Sequence, residues 1–184
     1  MLKRAREKAE LNLAVDFQQH DARALPFECE FDAGIMICEG GFSLMETDEM
    51  NFSILENATK AIKGGGKFIF TTLNALFPLF HSTEKFYTEQ AKEGMSQCKD
   101  TSFDLMTFRD HNTTVVEDDL NRRRELKTNE RFYAPSEITW LLKSLGHESI
   151  EIFGAKLGAF SRNDTLTTED FEMLVVAKKR MHSL

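Results

Sequence analysis

The chain has 184 residues, of which 41% are hydrophobic and 29% charged, a balance typical of one globular domain with a sizeable core. A formal net charge of −7 argues against a nucleic-acid partner, because nucleic-acid-binding surfaces are basic. Cys29, Cys38 and Cys98 lack metal-ligand spacing, which indicates free thiols in a reducing, cytoplasmic environment. No apolar run is long enough to span a bilayer, so no membrane partner is expected.

The first part of the chain is expected to alternate helices with strands. Strand, helix and strand in succession indicate a right-handed parallel crossover, the unit of an α/β fold. In chain order the patterns predict a helix over 1–11, a strand over 13–18, a loop over 20–27, a strand over 33–38, a helix from Thr47 or Asp48 to Ile62, a glycine turn over 63–66 and a strand over 67–73.

The apolar run over 33–38 organises this part of the chain. Its lack of polar alternation is typical of a strand buried on both faces of a parallel sheet. The Glu39-Gly40-Gly41 turn that follows lets the backbone approach a ligand, because glycine has no Cβ. Ligands of open α/β sheets bind beyond the carboxyl ends of the strands, so we expect a site from Glu39 to Phe42.

The second part of the chain is expected to contain an insertion over 75–134 within a single domain of residues 1–184. The apolar stretch 75–80 should line or cover a pocket. The patterns then predict a helix over 82–94, a loop over 95–102, an antiparallel meander or hairpin pair over 103–134, a helix from Pro135 that Gly146 closes, a strand over 149–153, a loop over 154–170 and a strand over 172–178.

Four segments in this order resemble the class I S-adenosylmethionine-dependent methyltransferases: DARALPF (21–27), FDA (31–33), AIKGGGKF (61–68) and RFYAPSEI (131–138). In that family the first of these segments follows the third strand, the second opens the fourth strand, and the third contains the turn that precedes the fifth strand. The resemblance implies a Rossmann-like α/β sheet with an inserted antiparallel β region, and S-adenosylmethionine as the cofactor. It also implies methyl transfer, with a small-molecule acceptor as the partner.

One departure from the family lies at the start of the sequence. The glycine-rich loop, the second strand and its terminal acid are absent, and residues 1–6 match the helix that follows that acid. We therefore expect a sheet incomplete at the N-terminus, lacking about 60 residues at ~30 per βα repeat. The family's first two strands lie between the third and fourth, so their loss leaves the inner edge of 33–38 bare. A bare apolar edge favours a homodimer through that edge, and no methyl transfer is expected from this chain alone.

The resemblance assigns roles to particular residues. Asp21 would accept a hydrogen bond from the adenine amino group, although it could instead be a plain acid of a loop or turn. Glu39–Gly41 could likewise be a plain tight turn, Phe42 and Phe77 could be core or lid residues, and His111 could be a hairpin-turn residue. The implied sets are cofactor-binding Asp21, Ala22, Arg23, Cys38, Glu39 and Gly40, substrate-binding Phe42, Asn74, Phe77 and Arg109, and catalytic Tyr133, Arg131 and His111.

Other functions remain open. The sequence has neither the Asp-Pro-Pro-Tyr-type motif of amino methyltransferases acting on nucleobases or glutamine nor a metal cluster like that of the catechol enzymes, so no metal is expected. A non-catalytic Rossmann-like remnant used for binding or assembly is the alternative. A nicotinamide-dependent oxidoreductase is disfavoured because no Gly-x-Gly-x-x-Gly fingerprint occurs.

Overall fold

The computed structural model describes residues 2–8, 14–38, 41–91, 96–117, 122–156 and 160–181. The helices are α1 (Leu2–Lys8), α2 (Asp48–Ala61), α3 (Phe77–Phe80), α4 (Thr83–Ala91) and α5 (Pro135–Ser144). The strands are β1 (Phe31–Met36), β2 (Ile62–Leu73), β3 (Ser96–Asp104), β4 (Arg109–Glu117), β5 (Arg123–Arg131), β6 (His147–Ala155) and β7 (Glu172–Lys179). No helix in these ranges combines the length and apolar character needed to cross a membrane.

The main sheet has the order β1-β2-β7-β6. β1 and β2 are parallel and joined through α2, while β7 runs antiparallel to both β2 and β6. The Thr47 hydroxyl caps α2 by accepting a hydrogen bond from the Met50 amide at 3.2 Å, as its position predicts. The predicted Rossmann-like α/β class with an antiparallel β region is confirmed.

The strand predicted over 33–38 forms as β1, but its predicted burial is wrong, and the strand predicted over 13–18 is wrong for residues 14–18. β1 is an edge strand with mostly exposed side chains, and Ile35 is 68% exposed, because no strand among the described residues pairs with its outer side. Residues 14–18 form no strand, since they have no ladder partner in the described ranges. Their backbone is instead held locally, where Arg6 Nη2 donates to the Phe17 carbonyl at 2.8 Å.

The glycine turn over 63–66 also differs from expectation. Residue 62 already has extended backbone (φ −84°, ψ 138°), so α2 ends without a left-handed glycine cap. β2 begins there because Phe31 pairs with Ile62 across the parallel ladder. The glycines therefore lie within the strand, in the irregular part of its pairing with β1.

The inserted region forms a three-stranded antiparallel sheet of order β3-β4-β5, here called the meander. This confirms the antiparallel prediction for 103–134. The loop predicted over 95–102 is wrong, because β3 starts at Ser96 and pairs with β4. Its sequence, SQCKDTSFD, lacks the alternating apolar residues that predict a strand.

The core lies between the main sheet and the helices α2 and α5. Its buried members include Phe42, Phe68, Phe70, Leu142 and Val175. A smaller cluster of Leu73, Ala75 and Phe132, flanked by Phe103, Phe108 and Phe171, packs the meander against the end of β2. The meander therefore shares apolar contacts with the α/β core.

Candidate functional site

A cavity of about 770 Å³ lies beyond the carboxyl end of β1 and is called here the loop cavity. Its lining residues come from the loop that precedes β1, from the segment that leads into α2 and from α2 itself: Gln19, His20, Asp21, Ala22, Arg23, Gly41, Met45 and Ile54. The structure thus brings together three of the predicted cofactor-binding residues. The size falls within the usual range of ligand cavities, about 300–1,000 Å³.

Asp21 is held as an ionised hydrogen-bond acceptor in this cavity. Its Oδ1 accepts from the Arg23 amide at 2.9 Å and from Arg23 Nε at 3.0 Å, and its Oδ2 accepts from Arg23 Nη2 at 2.7 Å. The hydrogen bonds from Arg23 lower the pKa of Asp21 to about 2. A carboxylate offers roughly four acceptor positions, so one stays available for a donor on a ligand.

Helix α2 fixes the loop that carries Asp21. Asn57 Nδ2 donates to the Arg23 carbonyl at 2.9 Å, and Asn57 Oδ1 accepts from the Leu25 amide at 3.0 Å. One side chain therefore ties the loop to the helix at two points of its backbone. The predicted adenine-binding segment is therefore held against a helix.

A second cavity of about 620 Å³, the meander cavity, lies beside the inserted sheet. It is lined by Leu44, Glu46, His111 and residues 127–130. Of the predicted catalytic residues, His111 therefore lines the meander cavity. Lys127 and Asn129 were missed, although the alternation of a strand puts them on the same side as Arg131.

Segment 41–46 separates the two cavities and is called here the divider. Gly41 and Met45 line the loop cavity, whereas Leu44 and Glu46 line the meander cavity. Gly41 has φ +95°, a conformation that disfavours any side chain at this position. The two cavities are thus neighbours across a single stretch of backbone.

The divider is attached to both sheets through Ser43. The hydroxyls of Ser43 and Thr72 share a hydrogen bond of 2.6 Å, and the Ser43 carbonyl accepts from the Arg131 amide at 2.7 Å. Ser43 itself is fully buried, with φ +78°. This left-handed backbone is held by tertiary contacts on both sides.

Two buried arginines, Arg109 and Arg131, form an ion-pair network with acids in the first turns of α2 and α5. They lie opposite each other on β4 and β5, and both contact the Asp48 carboxylate in the first turn of α2. Arg131 Nη2 also reaches Glu137 Oε1 at 2.6 Å. The arginine side chains are only 9% and 10% exposed, so this network attaches the meander to the core.

Phe42 and Tyr133 form part of the core. Their rings stack at 4.8 Å between centroids, and the Arg131 guanidinium lies over the Tyr133 ring at 4.6 Å. Burial raises the pKa of the Tyr133 hydroxyl well above its ordinary value. Tyr133 borders an opening between α2 and α5 and is not among the residues that line the loop or meander cavity.

The remaining predicted residues lie elsewhere. Asn74 is fully buried and its Nδ2 donates to the carbonyls of Thr167 and Asp170. Phe77 belongs to an aromatic cluster with His81, Phe86 and Phe171. Cys38 is exposed just after β1, and Glu39 and Gly40 lie outside the described residues.

A buried acidic pair lies where the meander packs against α4. Asp110 and Glu130 are cross-strand neighbours, and Glu130 accepts a hydrogen bond from Tyr87 of α4 at 2.5 Å. Asp110 is fully buried, and neither carboxyl oxygen has a partner at hydrogen-bonding distance among the described residues. Burial raises the pKa of Asp110, although nearby Thr83 and His111 oppose the shift. Burial also raises the pKa of Glu130.

The raised pKa of Asp110 should make the free energy of unfolding depend on pH. The native state holds the Asp110 proton more tightly than the unfolded state, so the free energy of unfolding should fall as pH rises above the ordinary carboxyl pKa of about 4. The slope for one proton is at most about 1.4 kcal/mol per pH unit. Urea unfolding between acidic and neutral pH should show a shallower slope for Asp110→Asn.

The matched control is Asp104→Asn. Hydrogen bonds from Thr107 and Met106 lower the pKa of Asp104, so its contribution to stability is lost as pH falls. Removing Asp104 should therefore shift the slope in the opposite sense. Identical slopes for the wild type and the Asp110→Asn variant would contradict the assignment.

No protein-family model matches the chain, and the search of curated proteins finds no match. Among solved structures, the CcbJ methyltransferase from Streptomyces caelestis matches with a TM-score of 0.61 at 13% identity, over 87% of this chain and 66% of that one. An S-adenosylmethionine-dependent methyltransferase from Clostridium acetobutylicum matches at 0.59 and 16%, over 88% and 63%. The chain has the fold of the class I methyltransferases.

A further similar structure supports the methyltransferase fold. It is an S-adenosylmethionine-dependent methyltransferase from Methanosarcina mazei, with a TM-score of 0.55 at 14% identity, over 98% of this chain and 76% of that one. The chain thus spans slightly less than two thirds of the first two matched proteins. Within the methyltransferase fold, both cavities lie beside the segment that follows β1.

Proposed function

We propose that this chain is a cytoplasmic S-adenosylmethionine-dependent methyltransferase acting on a small-molecule acceptor. The observation that carries the proposal is the loop cavity, which gathers Asp21, Ala22 and Arg23 with Gly41 beyond β1 in the methyltransferase fold. The neighbouring meander cavity would hold the acceptor.

The residues of the loop cavity suit this cofactor. Asp21 is an ionised acceptor with one position left for the adenine amino group. Met45 and Ile54 provide apolar contacts beside it. Cys38, Glu39 and Gly40 follow β1 directly and would complete the cofactor-binding set. Bound there, S-adenosylmethionine would supply a methyl group on a sulfonium that is already activated for in-line displacement.

The protein's contribution would be positioning and exclusion of water. Asp21 and its loop would orient the cofactor, and the divider would fix the distance between the two cavities. His111 in the meander cavity would accept the proton that an acceptor group loses, where one must leave. The insertion over 75–134 would set the choice of acceptor, because inserted elements vary with function more than the core does.

The other predicted site residues would act indirectly. Arg109, Arg131 and Tyr133 would hold the meander and the divider in place around the acceptor. Phe42, which is part of the divider, would anchor it in the core, and Asn74 and Phe77 would shape the region where the insertion leaves β2.

Replacing Asp21 by alanine tests the proposal. Loss of the adenine contact should weaken binding of S-adenosylhomocysteine about 5- to 150-fold, the equivalent of ~1–3 kcal/mol for a lost hydrogen-bond partner. Isothermal titration calorimetry gives the affinity directly. Asp32→Ala is the control, because Asp32 is also an ion-paired acid, joined to Lys63 at 2.9 Å, but lies outside the cavity lining. Equal affinity of the Asp21→Ala variant and the wild type would refute the assignment.

The second candidate is a non-catalytic binding or assembly module. The exposure of β1 favours it, because the strand beneath the loop cavity has no neighbour on its outer side among the described residues. A homodimer through this edge is the assembly that it predicts. Absence of S-adenosylhomocysteine binding in the wild type, together with a dimer in light scattering, would favour this candidate over the enzyme.

A further inference from the structure

A third opening, the helix groove, lies on the outer surface between α2 and α5, and its volume is about 410 Å³. Besides Asp48 at the start of α2, each helix contributes four residues at spacings of three, four and seven, which places them on one face. They are Glu49, Phe52, Ser53 and Glu56 on α2, and Glu137, Trp140, Leu141 and Ser144 on α5. Two facing stripes therefore form a channel of about two helical turns, or roughly 10 Å.

The centre of the helix groove is apolar. Phe52 and Leu141 are half-buried, and the buried Tyr133 also lines the groove. Trp140 is 69% exposed, which is a large unpaired aromatic surface on this face. Exposed tryptophan in a groove is typical of a protein-binding surface, where it contributes much of the binding energy.

The rim of the helix groove is acidic. Four carboxylates line it, and no lysine or arginine of the described residues does. Asp48 and Glu137 are neutralised by Arg109 and Arg131. Glu49 and Glu56 have no ion-pair partner among the described residues, so the rim has net negative charge.

We propose that the helix groove binds a basic amphipathic helix of a partner protein. Its apolar face would cover Trp140 and Phe52, and its lysine or arginine residues would pair with Glu49 and Glu56. This is recognition of a helix in a groove, in which anchors recur at intervals of three and four residues. Charge complementarity selects a basic partner over an acidic or neutral one.

A second copy of the chain fits the groove less well. Its basic helix, α1, carries Lys3, Arg4, Arg6 and Lys8, but its apolar Leu2 and Ala5 are half-buried against its own chain. The exposed face of α1 is therefore charged throughout and offers nothing to cover Trp140. A helix of a partner protein can offer both an apolar face for Trp140 and basic residues for Glu49 and Glu56.

Trp140 is the sole tryptophan of the sequence, so its fluorescence reports directly on the groove. The probe is a synthetic peptide of about four helical turns, with leucine on one face and lysine on the other. Adding it to the full chain should shift Trp140 emission to shorter wavelength and protect Trp140 from quenching by iodide. A peptide with glutamate in place of lysine should produce neither change.

Charge reversal provides the matched comparison. Glu49→Lys combined with Glu56→Lys should weaken peptide binding at least 10-fold, measured by anisotropy of the labelled peptide. Glu84→Lys combined with Glu89→Lys on α4 has the same charge change away from the groove and should leave the affinity within twofold. The milder pair Glu49→Gln and Glu56→Gln gives the same test should the lysine variant fail to fold, as judged by circular dichroism.

Several results would overturn the proposal. One is an unchanged Trp140 spectrum, and another is equal loss of affinity in the α2 and α4 variants. An emission shift that depends on protein concentration without peptide would identify a second copy as the occupant. The same shift with spermidine alone would show that the groove recognises a small cation rather than a helix.

Discussion

Replacing Phe42 by alanine should destabilise the protein by about 3–5 kcal/mol, which is the usual cost of removing a buried aromatic ring. Phe42 is fully buried, stacks on Tyr133 and meets the edge of Phe70 at 5.7 Å. The substitution would leave a cavity beside Phe70 of β2 and Tyr133, because these packed side chains cannot move far enough to fill it. Since domains of this kind are stable by only about 5–15 kcal/mol, a large part of the total would be lost.

Urea unfolding followed by circular dichroism measures the effect of the Phe42 substitution. Phe80→Ala is the matched control, because Phe80 is 69% exposed and the same atoms are removed. Its effect should stay below about 0.5 kcal/mol, as for other surface substitutions. Comparable losses in the two variants would show that Phe42 does not hold the divider against the core.

Replacing Arg131 by alanine should cost about 3 kcal/mol of folding stability. The substitution leaves Glu137 without its cation and Asp48 with Arg109 alone, and truncating one partner of a buried pair costs ~3–5 kcal/mol. We take the lower end because Asp48 is 57% exposed and water can solvate it. The loss also removes the cation from the face of the Tyr133 ring.

The same strand supplies a control for the Arg131 substitution. Arg123 pairs with Glu117 at 3.4 Å, but its side chain is 79% exposed. Exposed pairs contribute at most about 1 kcal/mol, so Arg123→Ala should have a small effect on the urea midpoint. If Arg131→Ala instead kept wild-type stability, the network would not be what attaches the meander, and a direct role in chemistry would gain support.

The sequence predicts local features of this fold well. Thr47 is recognisable as the cap of α2, and the stripe that follows it predicts the helix that joins two parallel strands. Asp21 and Arg23 are two residues apart, so their ion pair forms within one turn. These features depend on neighbours in the chain, which a sequence displays directly.

Other features depend on contacts that no local pattern encodes. Asp48 is 61 residues from Arg109 and 83 from Arg131, so nothing near Asp48 distinguishes a network anchor from a helix-capping acid. The apolar run of β1 predicts burial on both faces, yet burial depends on which strands lie beside it. β3 is polar and becomes a strand through its pairing with β4.

The edge position of β1 links ligand binding to the integrity of the sheet. A strand held by one ladder opens more readily than β7, which has partners on both sides. The loop cavity takes part of its lining from the backbone just beyond this strand. A molecule that binds both the loop at Asp21 and the divider at Gly41 would therefore stabilise this end of β1. Binding in the loop cavity and local unfolding of β1 are then coupled equilibria.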